Sequence, residues 1–190
     1  MKFRSISLLA GALLLTSGAF AQSDTTRRQT QQDRIANGID SGQLTAGEAK
    51  SLENKQSNLN REIRDDRNAN GGKLTSAERA QVNSQQNKLS NQIYTDKHNA
   101  ATAKYGSGAV GQRRENQQGR IANGIRSGNL NPGEAARMEN RQQGINQQIR
   151  ADRQANGGKL TAQQYKQVNR AQNRTSKAIY REKHNGRNGY

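Results

Sequence analysis

The chain has 190 residues, of which 31 are Lys or Arg and 15 are Asp or Glu, giving a formal net charge of +16. It contains no cysteine, which excludes a fold held together by disulfides, and only 4% of its residues are aromatic. This composition is also typical of disordered chains, so the order of residues along the chain has to decide between a folded and a disordered protein.

The first residues are typical of a signal peptide. Lys2 and Arg4 precede an apolar run at 8–15, and residues 19–21 have the small-x-small pattern that a signal peptidase cleaves. We therefore expect cleavage after Ala21 and export to the periplasm or beyond. The apolar run is shorter than the roughly 20 residues that cross a bilayer, so we expect no transmembrane segment.

Most of the remaining chain is one sequence that occurs twice. Residues 31–100 align without a gap on residues 117–186, and 40 of the 70 positions are identical. A polar segment, 22–30, precedes the first copy, a Gly-containing linker, 101–116, separates the copies, and a tail, 187–190, follows the second. Because a tandem duplication repeats one structural unit, these boundaries predict two related units.

Each copy is predicted to be all-α, with a short helix followed by a long antiparallel hairpin. In the first copy we expect the short helix around 34–39 and the hairpin arms over 45–67 and 75–97, joined by a glycine turn at 71–72. Apolar residues step by three and four along both arms, which is the spacing of one helical face. A strand would require alternation with period two, which the sequence does not show.

Capping boxes mark the start of every arm. In this motif a Ser, Thr or Asn side chain accepts a hydrogen bond from the backbone N–H three residues later. The Glu or Gln side chain at that later position accepts one from the backbone N–H of the Ser, Thr or Asn. The pattern therefore fixes where the helices begin. The four pairs are Thr45 with Glu48, Thr75 with Glu78, Asn131 with Glu134, and Thr161 with Gln164.

A glutamine interrupts the apolar stripe at the same place in all four arms. We interpret these glutamines as a buried layer, which fixes the register of facing helices if the amides find partners. Stripes that are partly exposed to solvent are the alternative. The four residues are Gln56, Gln86, Gln142 and Gln172.

No motif in the sequence indicates catalysis. There is no cysteine and no serine in the setting of a nucleophile elbow. His98 and His184 occupy matching helix ends, where a histidine favours the helix dipole more often than it binds metal. We therefore expect a protein that is not an enzyme.

The turns between the arms resemble the second half of an EF-hand calcium loop. A glycine is followed by Leu-Thr and then by a carboxylate, as at Gly72 in the first copy. The first half of the loop fits best in a register that places the final acid one residue late, and in the second copy Gln164 replaces that acid. Calcium binding is therefore a third hypothesis for the function, with candidate ligands Asp66, Asn68, Asn70 and Glu78.

Two family resemblances follow from these motifs. The Ser-Gly-x-Leu start and the Lys-His-Asn finish of each copy resemble a group of exported bacterial helical-repeat proteins with degenerate EF-hand-like turns. That resemblance implies the fold and carries no function with it. The stretch from Leu160 to Gln164 resembles the signature of the LTxxQ periplasmic stress chaperones. This second resemblance implies a chaperone-like binder of unfolded envelope proteins.

Charge is what distinguishes the two copies most. Residues 31–100 hold 10 basic and 9 acidic side chains, whereas residues 117–186 hold 13 basic and 4 acidic ones. Five cations on the last predicted helix are spaced by three or four residues, so they line one face and repel one another. We interpret this cationic stripe as a surface for nucleic acid or an acidic envelope polymer; a solvated face that only keeps the chain soluble is the alternative. The stripe consists of Lys166, Arg170, Arg174, Lys177 and Arg181.

Overall fold

Six α-helices make up the fold of the computed structural model, which describes residues 17–187 and the side chains from residue 24 onward. No strand occurs in this range, so the predicted all-α class is confirmed. The apolar run at 8–15 and the last three residues lie outside the described residues. The helices are α1 (Ser17–Asp40), α2 (Ala46–Ala69), α3 (Ser76–His98), α4 (Ala109–Arg126), α5 (Pro132–Ala155) and α6 (Ala162–Lys183).

None of these helices is both long enough and apolar enough to span a membrane. The predicted cleavage motif at 19–21 falls in the first turns of α1, where side chains are not described. Signal-peptide cleavage and export therefore stay predictions.

The first helix of each copy is longer than the sequence predicted. α1 and α4 extend well before the expected short helix at 34–39 and its equivalent. The segment at 22–30 is therefore helical, and the connection between copies shrinks from 101–116 to 99–108. The apolar pattern missed these extensions because their buried face is polar, with Gln31 and Gln32 almost fully buried in α1.

All four predicted capping boxes are present. Two of the boxes also anchor the far end of their copy: Asn99 Nδ2 donates to Glu48 Oε1 at 2.7 Å, and Asn185 Nδ2 donates to Glu134 Oε1 at 2.8 Å. These bonds hold the end of the third helix against the start of the second. They give the Lys-His-Asn finish of each copy a structural role.

The two copies share one core. α2 packs antiparallel against α5, and α1 packs against α4. A Cβ at Gly47 would lie 3.1 Å from Gln143 Nε2, and a Cβ at Gly133 would lie 3.3 Å from Ser57 Oγ. Because positions 133 and 143 are the repeat equivalents of 47 and 57, the interface is related by a pseudo-twofold exchange of the copies. The shared cluster includes Ile35, Ile39, Leu52 and Ile93 from the first copy and Ile121, Ile125, Met138 and Ile179 from the second.

A further contact between the copies joins the ends of α1 and α4. Arg126 Nη2 lies 2.8 Å from Asp40 Oδ2, and Arg126 Nε donates to Asn37 Oδ1 at 3.3 Å. Residue 126 is the repeat equivalent of residue 40, so the two copies meet here at the same position. Opposite charges at that position replace the repulsion that an identical residue would produce.

The predicted glutamine layer is confirmed, because all four residues are fully buried at 0% exposure. In the second copy the layer gains a third member from α4. Gln117 Nε2 donates to the backbone oxygen of Gln172 at 2.7 Å, and Gln117 Oε1 accepts from Gln142 Nε2 at 2.9 Å. One amide therefore fixes the register of α4 against both arms of the hairpin.

In the first copy the equivalent residue, Gln31, bonds to only one arm of the hairpin. Gln31 Nε2 donates to the backbone oxygen of Gln86 at 2.8 Å, while Gln56 Nε2 donates to Asn60 Oδ1 at 3.1 Å on its own helix. The side chains of Gln31 and Gln56 are therefore not joined as those of Gln117 and Gln142 are.

We expect Gln117→Leu to lower the free energy of unfolding by about 1–3 kcal/mol, because it leaves the buried Gln142 amide without its acceptor. Gln31→Leu is the matched control, since it removes one bond and leaves Gln56 paired with Asn60. Urea denaturation of both variants measures the difference. Equal destabilisation would contradict the asymmetry of the two layers.

We expect the two copies to stay associated after the connection between them is cut. The connection is held at Ala103, whose N–H donates to Gly42 O at 2.9 Å, whereas Ser107 is exposed and suits an inserted protease site. After complete cleavage there, both pieces should elute together in size-exclusion chromatography and melt in one transition, because they share a core. Two independently folded fragments would contradict the shared core.

Candidate functional site

All five residues of the cationic stripe are exposed along α6. The opposite side of the helix is buried and carries Val168, Gln172, Thr175 and Ile179. Within the described part of the chain no ion pair involves a stripe residue; the pairs found there include Arg64–Asp65, Arg126–Asp40 and Arg137–Glu182. The structure therefore brings the predicted stripe residues together on one outer surface.

The corresponding helix of the first copy has no such stripe. α3 packs on α1 and α2 as α6 packs on α4 and α5. The same helical architecture therefore forms with and without the five cations. The residues equivalent to the stripe are Ala80, Ser84, Lys88, Asn91 and Thr95.

Two basic grooves lie between the copies, and the sequence did not predict them. Groove A, of about 520 Å³, lies between α5, the start of α2 and the connection, and its cations are Lys104, Arg114, Arg150 and Arg153. Groove B, of about 760 Å³, lies between α2 and the start of α5. No lining residue described for either groove is acidic. The cations of groove B are Arg28, Arg61, Arg64, Arg67 and Arg137.

Arg114 is the most deeply placed cation of groove A. It is 7% exposed, and its guanidinium donates to the backbone oxygens of Lys104 and Tyr105, both at 3.3 Å. Its buried Nε has no hydrogen-bond partner among the described residues. Burial lowers the pKa of Arg114, and the nearby charges of Arg153 and Arg150 lower it further, while Tyr105 opposes this. Arg150 and Arg153 are thus each close enough to Arg114 to repel it.

The sequence held one signal for this site. The pair Arg27-Arg28 recurs as Arg113-Arg114 at the repeat spacing, just before the aligned region begins. Nothing in the sequence alone placed these residues beside the far end of a long helix arm. The grooves form only when each copy presents the start of its second helix to the other copy.

A pair of buried glutamates lies at the crossing of α2 and α5. Glu53 and Glu139 are repeat equivalents, and both are 0% exposed. Each accepts one bond, from Gln32 Nε2 at 3.1 Å and from Gln118 Nε2 at 2.9 Å, respectively. The second carboxyl oxygen of each has no partner among the described residues.

Burial raises the pKa of both glutamates to about 8. The bonds from Gln32 and Gln118 oppose the shift, and the charge of Glu139 adds to it at Glu53. The carboxyls are therefore protonated at neutral pH and can donate as well as accept. The sequence does not reveal the pair, because a glutamate beside an apolar stripe is usually exposed.

We expect Glu53→Gln to raise stability at pH 8 and to change it little at pH 4.5. An unfolded glutamate titrates near 4.5 and the folded one near 8, so unfolding releases a proton between these values. The stability contributed by each protonated glutamate is fully present below about pH 4.5. As the pH rises toward 8, each glutamate lowers the free energy of unfolding by up to about 1.4 kcal/mol per pH unit.

Melting temperatures of the protein, Glu53→Gln and Glu139→Gln between pH 4.5 and 9 provide the measurement. Each substitution should make the melting temperature fall less steeply as the pH rises. Glu115→Gln is the control, because Glu115 is exposed on α4. If the melting temperature falls with pH as steeply in Glu53→Gln and Glu139→Gln as in Glu115→Gln, the buried pair is not the source of the pH dependence.

The predicted calcium ligands lie around the end of a helix. Asp66 and Asn68 are in the last turn of α2, and Asn70 caps it. Asn70 Nδ2 donates to the backbone oxygen of Asp66 at 2.9 Å and to the two carboxylate oxygens of Glu78 at 2.8 and 3.0 Å. The side-chain amide of Asn70 thus links the two ends of the turn.

The second copy forms the same turn without the acid. Asn156 Nδ2 donates to the backbone oxygen of Asp152 at 2.7 Å and to Gln164 Oε1 at 3.1 Å. Within the described residues there is no group of three or more His, Cys, Asp and Glu placed to hold a metal ion. Hydrogen bonds therefore account for the turn, and calcium binding stays a hypothesis.

Both histidines lie at helix ends. His98 Nδ1 is 2.7 Å from the backbone oxygen of Tyr94, and His184 Nδ1 is 2.7 Å from that of Tyr180. Each imidazole also stacks on the same tyrosine, with ring centroids 4.2 Å apart. These contacts are consistent with the predicted role of the histidines at the C-terminal end of a helix.

Comparisons of the chain with protein-family models, with curated proteins and with solved structures give no match. Both family resemblances therefore stay predictions. The function has to be argued from the charged surfaces and the buried groups of this chain.

Proposed function

We propose that the chain is an exported, non-catalytic helical protein that binds an acidic polymer, either nucleic acid or an envelope polyanion, through the cationic stripe on α6. The observation that carries this proposal is the exposure of five cations with no ion pair among the described residues. From Lys166 to Arg181 the stripe runs for about 22 Å at 1.5 Å per residue. That length covers several successive charges of an extended polyanion.

Electrostatics favours a ligand over a purely solvated face. Five like charges on one helix face repel one another, and α6 contains a single acid, Glu182, which pairs with Arg137 at 3.5 Å. A polyanion relieves this repulsion and releases its own condensed counterions on binding. Such binding recognises the polymer backbone and is independent of sequence.

The chaperone alternative draws less support from the surface. Among the described residues the exposed large hydrophobic side chains are three tyrosines, Tyr94, Tyr165 and Tyr180. Tyr94 and Tyr180 are stacked on histidines. A binder of unfolded chains requires a contiguous apolar patch, and separate tyrosines do not provide one.

We expect replacement of Arg170, Arg174, Lys177 and Arg181 by Gln to weaken binding to a 20-base-pair DNA duplex steeply at low salt. The change removes four charges from one face and keeps helix propensity nearly constant. The slope of log affinity against log salt should fall by up to about 3 to 4, near 0.9 for each lost phosphate contact. Fluorescence anisotropy at several salt concentrations measures both quantities.

A second quadruple Gln variant, with the same change in net charge, is the control. It replaces exposed cations that lie outside the stripe and do not line either groove: Lys73, Lys88, Arg141 and Lys159. If both variants lose affinity and slope equally, only net charge matters and the stripe proposal is wrong. If neither the protein nor the control variant binds DNA or polyphosphate at low salt, binding of acidic polymers is wrong altogether.

A further inference from the structure

We infer that grooves A and B are a pair of equivalent binding sites for a phosphate group carried by a compact organic molecule. Three arginines of the second copy line groove A and four of the first copy line groove B, in each case opposite the start of the second helix of the other copy. The sites are separate from the stripe on α6, which lines neither groove. The inference therefore stands without the proposed polymer binding.

Groove A concentrates positive charge on a concave surface. Arg114 is buried beneath groove A with its Nε unpartnered among the described residues, and Arg150 and Arg153 lie close enough to repel it. Neither Arg150 nor Arg153 forms an ion pair within the described residues. Folding has thus gathered three guanidinium groups around a concave surface without a protein acid to neutralise them. An oxyanion supplies the missing charge.

The grooves occur once on each side of the crossing between the copies. Nine equivalent positions line both grooves, and six of them carry the same residue in the two copies, including all three arginines. The stripe, by contrast, occurs in only one copy. The matched pairs are Arg28 with Arg114, Asn60 with Asn146, Ile63 with Ile149, Arg64 with Arg150, Arg67 with Arg153, and Gly72 with Gly158.

The chemistry of the lining selects the ligand class. Guanidinium groups present parallel N–H donors that match the oxygens of phosphate, and several together suit a dianion better than a single carboxylate. Volumes of about 520 and 760 Å³ exceed what one phosphate fills and lie in the range of small-molecule sites. Ile149 and Asn146 in groove A offer an apolar and an amide contact to the organic part.

The two sites should differ in affinity. In groove B, Arg64 lies 3.7 Å from Asp65, whereas Arg150 of groove A is followed by Ala151. The acid competes with the ligand for Arg64. Groove A is therefore the tighter site.

Isothermal titration calorimetry with a hexose monophosphate at low salt tests the inference. The protein should bind two equivalents. In the double variant Arg150→Gln with Arg153→Gln, the affinity of the tighter site should fall about tenfold or more, since each lost charge-assisted bond contributes at that scale. Arg64→Gln with Arg67→Gln should remove the weaker site. Lys88→Gln with Arg141→Gln matches the charge change and should leave both sites intact, with melting temperatures checking that every variant folds.

The unphosphorylated hexose and an eight-nucleotide single strand complete the experiment. Absence of saturation by the hexose monophosphate, equal binding of the plain hexose, or equal loss in the Lys88 and Arg141 variant would overturn the inference. If the grooves bind the oligonucleotide and not the hexose monophosphate, the inferred compact ligand is wrong and the grooves bind a polymer. The stripe variant separates this inference from the polymer proposal. It should lose the salt dependence of DNA binding and still bind hexose monophosphate.

Discussion

The antiparallel crossing of α2 and α5 is the contact on which the rest of the structure depends. Because the two helices come from repeated sequence, their antiparallel crossing brings equivalent residues together near its centre and places the start of each helix beside a later part of the other. Glu53 thus comes close to Glu139 at the centre. Toward each end of the crossing, the start of one helix meets the arginines of the other, and a groove forms on both sides. One interface therefore produces the shared core, the buried acids and the paired grooves.

Buried polar groups also constrain how the helices pack within each copy and between the copies. The core contains layers of glutamine and a pair of glutamates where apolar residues would bury more surface. Such groups stabilise a fold only in the register that satisfies their bonds, and an error in register leaves amides and carboxyls unpaired. Gln117 illustrates the point, since it connects α4 to both arms of the second hairpin. The hydrogen bonds that these buried groups make favour one register, whereas both amide atoms of Gln86 and one carboxyl oxygen of each glutamate have no partner among the described residues.

Duplication has left the chain with shared and with divergent surfaces. Three groove arginines occur in both copies, whereas position 40 is acidic and its equivalent, 126, is basic, so that they form an ion pair across the interface. The cationic stripe is confined to the second copy, where it lies away from the core. Matching arginines thus line the grooves between the copies, and the largest charge difference lies on an outer face.

The sequence by itself determined the all-α class, the four capping boxes, the buried glutamines and the exposed stripe. Each of these depends on local spacing along one helix, which a linear pattern records directly. It did not reveal the full length of α1 and α4, because their buried faces carry Arg28 and Gln31 in place of apolar residues. Only the tertiary structure decided that the copies share one core, that Glu53 is buried and that Arg114 joins Arg150 and Arg153. These features arise where residues of different helices meet, and the packing of helices between the two copies leaves no periodic signal within either one.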